Sequence, residues 1–134
     1  MPDRLYIDKE DRPYYQKAEE ENILNFKNKN QKEQFLLAMA IGFENSQRRE
    51  LKTREGFFFS DNLGSEGRTL INALAIREHG SADILADEKK VFDIAEQYAS
   101  AGIRILADSI DKVQFGKFDK MFEKDLVEML NLSQ

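Results

Sequence analysis

From Glu88 to Lys112 the apolar residues fall into two adjacent stripes at helical spacing. Val91, Ile94, Tyr98, Ala101 and Ile105 form one, and Phe92, Ala95, Ala99, Gly102 and Leu106 form the other. Together they span an apolar arc of roughly 200°, about twice what a surface helix needs. This pattern predicts a long central helix over about 88–112, covered from two or three sides. Lys89, Asp93, Glu96, Gln97, Ser100, Arg104, Asp108 and Asp111 fill the remaining arc. The run Ala99 to Gly102 lacks bulk. A glycine inside a helix costs about 1 kcal/mol against alanine, so Gly102 implies the close approach of a neighbouring backbone.

The other elements follow in order. Residues 1–12 read as an N-terminal arm in which only Leu5, Tyr6 and Ile7 dock. Pro13 suits the first turn of a helix that carries Tyr14, Tyr15 and Ala18 and ends in the solvated Glu19 to Glu21. Ile23, Leu24 and Phe26 tuck a connector into the core edge. Asn30 with Glu33 forms a capping-box signal for a helix from Gln31, apolar all round from Phe35 to Ile41, with Gly42 as its expected stop. Residues 44–56 read as a loop, and Phe57, Phe58 and Phe59 as a short strand near 57–60. Three consecutive phenylalanines belong to the core rather than to a stacking platform, because alternate residues of a strand face opposite sides. Ser65 is the expected N-cap of a further helix, closed by His79 and Gly80. Asp87 caps the central helix, and a last amphipathic helix carries Phe118, Met121, Phe122, Leu126, Met129 and Leu130. The expected fold is mainly α: about five helices around the central one, with at most a minor strand pair.

The 134 residues carry 41% hydrophobic and 34% charged residues, which fits one domain spanning 1–134 with a real core. The absence of cysteine excludes disulfides, thiolate nucleophiles and cysteine–metal sites. The longest apolar run, Phe35 to Phe43, is far short of a membrane span, and the charged N-terminus lacks the apolar segment of a signal peptide. A cytoplasmic protein without membrane contact is expected. Its net charge of −5 opposes general coating of nucleic acid.

No residue set announces chemistry. His79, the single histidine, stands where a helix C-terminus favours a basic side chain. His79, Asp83, Asp87 and Glu88 match no metal-ligand spacing. The pairs Asp108 with Asp111 and Asp119 with Glu123 read as solvated helix faces. Gly64 and Gly67 lack the companion residues of a phosphate-binding loop. The helices around Gly80 would offer Asp83, Asp87 and Glu88 to DNA, the wrong sign for recognition. No catalytic residue, cofactor or metal is therefore expected, and an enzyme is the least favoured class. Arg48, Arg49, Lys52 and Arg54 form the one local basic cluster, diluted by Glu44, Glu50 and Glu55. They are the candidate contacts to nucleic acid or to a protein partner.

The strings AMAIGF (Ala38 to Phe43), LINALAIREHGSADIL (Leu70 to Leu85) and FDIAEQYASAGIRIL (Phe92 to Leu106), with the arginine-containing loop between the first two, resemble one small family. These are the proteins that accompany Dnd-type DNA phosphorothioation clusters, phosphorothioation-associated protein 4. The resemblance runs from about Tyr14 to Leu106. It implies a place in prokaryotic DNA modification and the linked restriction defence, with no functional residue to carry over. Two roles follow: an accessory module that binds a protein partner of a modification or defence complex, or a module that contacts DNA through the basic loop. A homodimer closed by leftover apolar surface on the central or last helix is compatible with either.

Overall fold

The computed structural model describes residues 3–110. It is mainly α, with strand β1 (Arg4–Asp8), helix α1 (Arg12–Glu20), helix α2 (Gln31–Glu44), strand β2 (Arg54–Phe59), helix α3 (Gly64–His79) and helix α4 (Glu88–Ile110). The expected last helix, and residues 111 and 112 of the central one, lie outside the described residues.

Helix α4 is the spine, as its double stripe requires. α2 packs along one side of it, α1 and α3 flank it, and β1 lies across its polar arc. Both stripes are buried apart from the half-buried Ile105. The small-residue run is a packing seat against α2. A Cβ on Gly102 would stand 1.6 Å from the Ala38 carbonyl oxygen, and one on Gly42 would stand 2.0 Å from that of Tyr98. Only glycine permits that approach, in which backbone meets backbone. This corrects the reading of Gly42: it does not end α2, which continues to Glu44, but supplies the partner surface for α4.

The start of α2 is as read. Asn30 Oδ1 accepts from the Glu33 amide (2.9 Å), and Glu33 Oε1 accepts from the Asn30 amide (3.0 Å). Ile23, Leu24 and Phe26 are buried in the connector before it. Asp87 caps α4 through the Lys90 amide, 3.2 Å away. Gly80, left-handed at φ 89°, ends α3 behind His79. Ser65 is not the cap of α3, which begins at Gly64 directly after a tight turn, Ser60–Leu63. Gly64, at φ 68°, allows the turn to run into the helix without a capping side chain.

The N-terminal segment is not an arm. Arg4–Asp8 pairs antiparallel with β2, from Arg4 opposite Phe59 to Asp8 opposite Arg54. Leu5 and Ile7 are buried as expected, but so are Asp8 and Asp11. Strand β2 begins three residues earlier than expected, at Arg54. The register shifts between Leu5 and Tyr6, whose partners are Phe58 and Gly56, so Phe57 is an extra residue, a bulge. The bulge breaks strict alternation and buries both Phe57 and Phe58, leaving Phe59 53% exposed under the Arg4 guanidinium.

Candidate partner-contact site

The loop from 45 to 53 leaves α2 and folds back over the polar arc of α4. Its backbone is tied down at both ends of the turn. The Gln47 amide donates to Gly42 O (2.9 Å), and the Arg49 amide donates to Gln97 O of α4 (3.1 Å). Ser46 adopts φ 54° to make the corner. The three arginines then diverge around α4, each toward different carboxylates.

Arg48 turns toward α3. Its Nη1 donates to Glu78 Oε1 (2.6 Å), Nε and Nη2 reach Gln97 Oε1, and the guanidinium lies over the Tyr98 ring. The Tyr98 hydroxyl donates to the other oxygen of Glu78. That bond and the Arg48 pair hold the Glu78 carboxyl below its usual range. Burial, together with the facing carboxylate, pushes Tyr98 up to about 12.

Arg49 turns toward the N-terminal segment. Its Nη1 lies 2.9 Å from Asp8 Oδ2 and 3.2 Å from Ser100 Oγ, and its Nη2 lies 3.3 Å from Glu10 Oε2. Burial alone would raise Asp8. The amides of Lys52 and Glu10 and the Arg49 guanidinium outweigh it and draw Asp8 down to about 2. Asp8 thereby fastens the loop to β1. The Lys52 side chain itself is exposed, and only its amide takes part.

Arg54, at the start of β2, stacks over Tyr6 and faces two acids of α4. Its Nη2 is 3.0 Å from Glu96 Oε1, and its Nη1 is 3.4 Å from Asp93 Oδ1. Glu96 is 1% exposed, and its Oε2 accepts from the Tyr6 amide at 2.8 Å. Its Oε1 is buried without an aligned hydrogen bond, so Arg54 serves it as a close charge rather than as a well-directed donor. Burial raises the Glu96 carboxyl to about 7 against the pull of the Tyr6 amide and Arg54. A polar cavity of about 140 Å³ adjoins it, lined by Glu50, Leu51, Arg54, Asp93, Glu96 and Gln97.

A third buried acid, Asp11, accepts from Ser100 Oγ (2.6 Å) and Arg104 Nε (2.7 Å). Burial raises its carboxyl, and these two donors oppose the rise. The Tyr15 hydroxyl is buried beside Phe57 without a hydrogen-bond partner, and burial raises its pKa.

The residues read as a basic cluster thus do not converge on one surface. Arg48, Arg49 and Arg54 point three ways, each against at least one carboxylate. The sequence pattern does not reveal these partners: Asp8, Glu10 and Asp11 fall in the segment read as an arm, and Asp93, Glu96 and Ser100 fall in the polar arc of the central helix. The pairs span 41 residues for Asp8 with Arg49 and 93 for Asp11 with Arg104, so no local spacing signals them. His79 is exposed at the end of α3, and among the described residues no group of acids and histidine could hold a metal ion. A wider concavity, about 600 Å³, is an open groove lined by Phe43, Glu44, Ser46, Arg48, Arg77, Glu78 and Tyr98. No described helix is long and apolar enough to cross a membrane.

Against known proteins, a family model described as DNA sulphur modification system-associated protein 4 matches residues 10–130. The match extends past both ends of the stretch that carries the resemblance. No curated protein and no solved structure matches the chain significantly.

Proposed function

We propose that this chain, which belongs to the DNA sulphur modification system-associated protein 4 family, is a non-enzymatic accessory protein that binds a protein partner of the modification machinery in the cytoplasm. The observation that carries this reading is the charge balance of the arginine loop. Asp8, Glu10, Glu78, Asp93 and Glu96 surround Arg48, Arg49 and Arg54. Phosphate contact would have to displace these internal partners, whereas a folded partner can use the mixed charges and the half-buried Phe43 of the open groove as they stand. Binding fits better than catalysis for a geometric reason. Glu96 has the shifted pKa of a candidate acid–base residue, but one oxygen is bound to the Tyr6 amide and the other faces Arg54. The adjoining cavity, about 140 Å³, is below the 300 Å³ or more of a usual ligand site.

The test is co-purification of the full chain, tagged, with the other products of a DNA sulphur modification gene cluster. A stoichiometric complex with one of them is expected, and reversal of charge at Arg77 and Glu44 in the groove should weaken it at least tenfold. A chain that forms no complex with any product of the cluster would end this reading. In parallel, binding to phosphorothioated and plain duplex DNA is measured against salt. Affinity and salt slope that both fall in Arg48→Ala and Arg54→Ala would replace the protein-partner reading with direct DNA contact. Participation in restriction defence is the biological setting of either outcome.

A further inference from the structure

Among the buried acids on α4 and the N-terminal segment, Glu96 faces a cation that it shares with a second carboxylate of the same helix at the edge of a cavity. Arg54 Nη2 stands 3.0 Å from Glu96 Oε1 and its Nη1 stands 3.4 Å from Asp93 Oδ1. The Arg54 side chain is 44% exposed, and its guanidinium lies over the Tyr6 ring and borders the cavity of about 140 Å³ that Glu50, Leu51 and Gln97 complete. Every element around Glu96 contributes to its surroundings. β1 supplies the Tyr6 amide, β2 supplies Arg54, the loop supplies Glu50, and α4 supplies Asp93 and Gln97. Asp93 is itself shared with Lys89 Nζ at 3.3 Å.

We propose that Glu96, Arg54 and Asp93 form a proton-operated latch between the β1–β2 hairpin and the central helix. With Glu96 ionised, Arg54 is drawn inward, and the Tyr6 amide and the guanidinium both bind the hairpin to α4. With Glu96 protonated, the attraction on that side is lost. Arg54 is then held by Asp93 alone and moves toward the surface of the cavity beside Glu50. No covalent step is involved: one proton enters from solvent through the cavity, and of the two ion pairs of Arg54 one is lost and one is kept. The shift of Glu96 to about 7, caused first by burial, places the exchange near neutrality. Asp8 and Asp11 cannot act in the same way. Asp8 is held well below neutrality by two amides and Arg49, and the oxygens of Asp11 are bound by Ser100 and Arg104.

The test follows the Glu96 side-chain carboxyl carbon and the Arg54 Nε–H group by NMR in the full chain between pH 5 and 9. The two signals are expected to move together, with one midpoint near neutrality. Glu96→Gln should hold the Arg54 signal at its low-pH position throughout. Asp93→Asn, at a partly exposed position that leaves the core intact, should lower the common midpoint by removing both a repelling charge and the pair that Arg54 keeps. An Arg54 signal that does not change while Glu96 titrates would overturn the latch. So would a Glu96 carboxyl titrating in the ordinary carboxylate range, or a midpoint unmoved in Asp93→Asn.

Discussion

The two sides of helix α4 are held by different physics. Toward α2 the contact is steric: Gly42 and Gly102 remove side chains so that two backbones touch, and apolar groups fill the space around them. Toward the hairpin and the arginine loop it is ionic. Asp8, Asp11 and Glu96 are buried there against Arg49, Arg104 and Arg54. The first side contributes stability through burial of apolar area. The second contributes less net energy, because desolvation offsets much of the attraction, but it is unforgiving when one partner is removed. It also responds to pH, which the steric side does not.

Substitutions separate the two. The largest effect is expected from Gly102→Val, whose first added atom alone would overlap the Ala38 carbonyl oxygen. The helices must separate along their length, with a loss above about 4 kcal/mol read by urea denaturation or as failure to fold. A loss under 1 kcal/mol would mean that α2 and α4 are not in backbone contact.

Next comes Arg49→Met, which leaves Asp8 buried without its cation. A loss of about 3 kcal/mol at pH 7 is expected. The sign of its pH dependence is fixed by Asp8. Its folded pKa, about 2, is below its ordinary 3.8, so its stabilising contribution is present above 3.8 and is lost as pH falls through about 2. The acid limb of the wild-type stability curve should therefore flatten in the variant.

Glu96→Gln is expected to do the opposite. The unfolded carboxyl titrates near 4.5 and the folded one near 7, so between these values the folded chain keeps a proton that the unfolded chain has lost. Wild-type stability therefore falls as pH rises through this window. The glutamine variant should match the wild type near pH 4.5 and exceed it by about 3 kcal/mol at pH 8, in urea melts across pH. Equal stabilities at pH 8 would remove Glu96 from the ionic side of the comparison.

The smallest effect is expected from Arg48→Ala. Its pair with Glu78 is more than a quarter exposed on both sides, so thermal melts should show a loss below about 1 kcal/mol. A larger loss would make the Tyr98–Glu78–Arg48 contacts part of the core.

The two sides also differ in how they could be read. Apolar periodicity located α4, the buried α2 and the connector residues Ile23, Leu24 and Phe26. Capping chemistry located Asn30, Gly80 and Asp87. The small-residue run pointed to a close helix contact. The sequence left Gly42 ambiguous, since a glycine near a helix end can be a stop or a seat, and only the α4 backbone beside it decides. It was silent about the ionic side because a buried carboxylate and a solvated one have the same spacing on a helix. Glu96 sits in the polar arc of α4 like Asp93 beside it, yet β1 covers Glu96 while Asp93 stays partly exposed.

By itself, then, the sequence determined the helical class, the central helix, its N-cap and its small-residue run, because these depend on residues within one or two turns of each other. The tertiary structure alone decided that the N-terminal segment is a strand, that Phe57 is a bulge, and that the basic cluster is divided among carboxylates of different segments. Charge pairing has no period. Its energy depends on which distant segment excludes water from each group, and that is settled only when the hairpin closes over the helix.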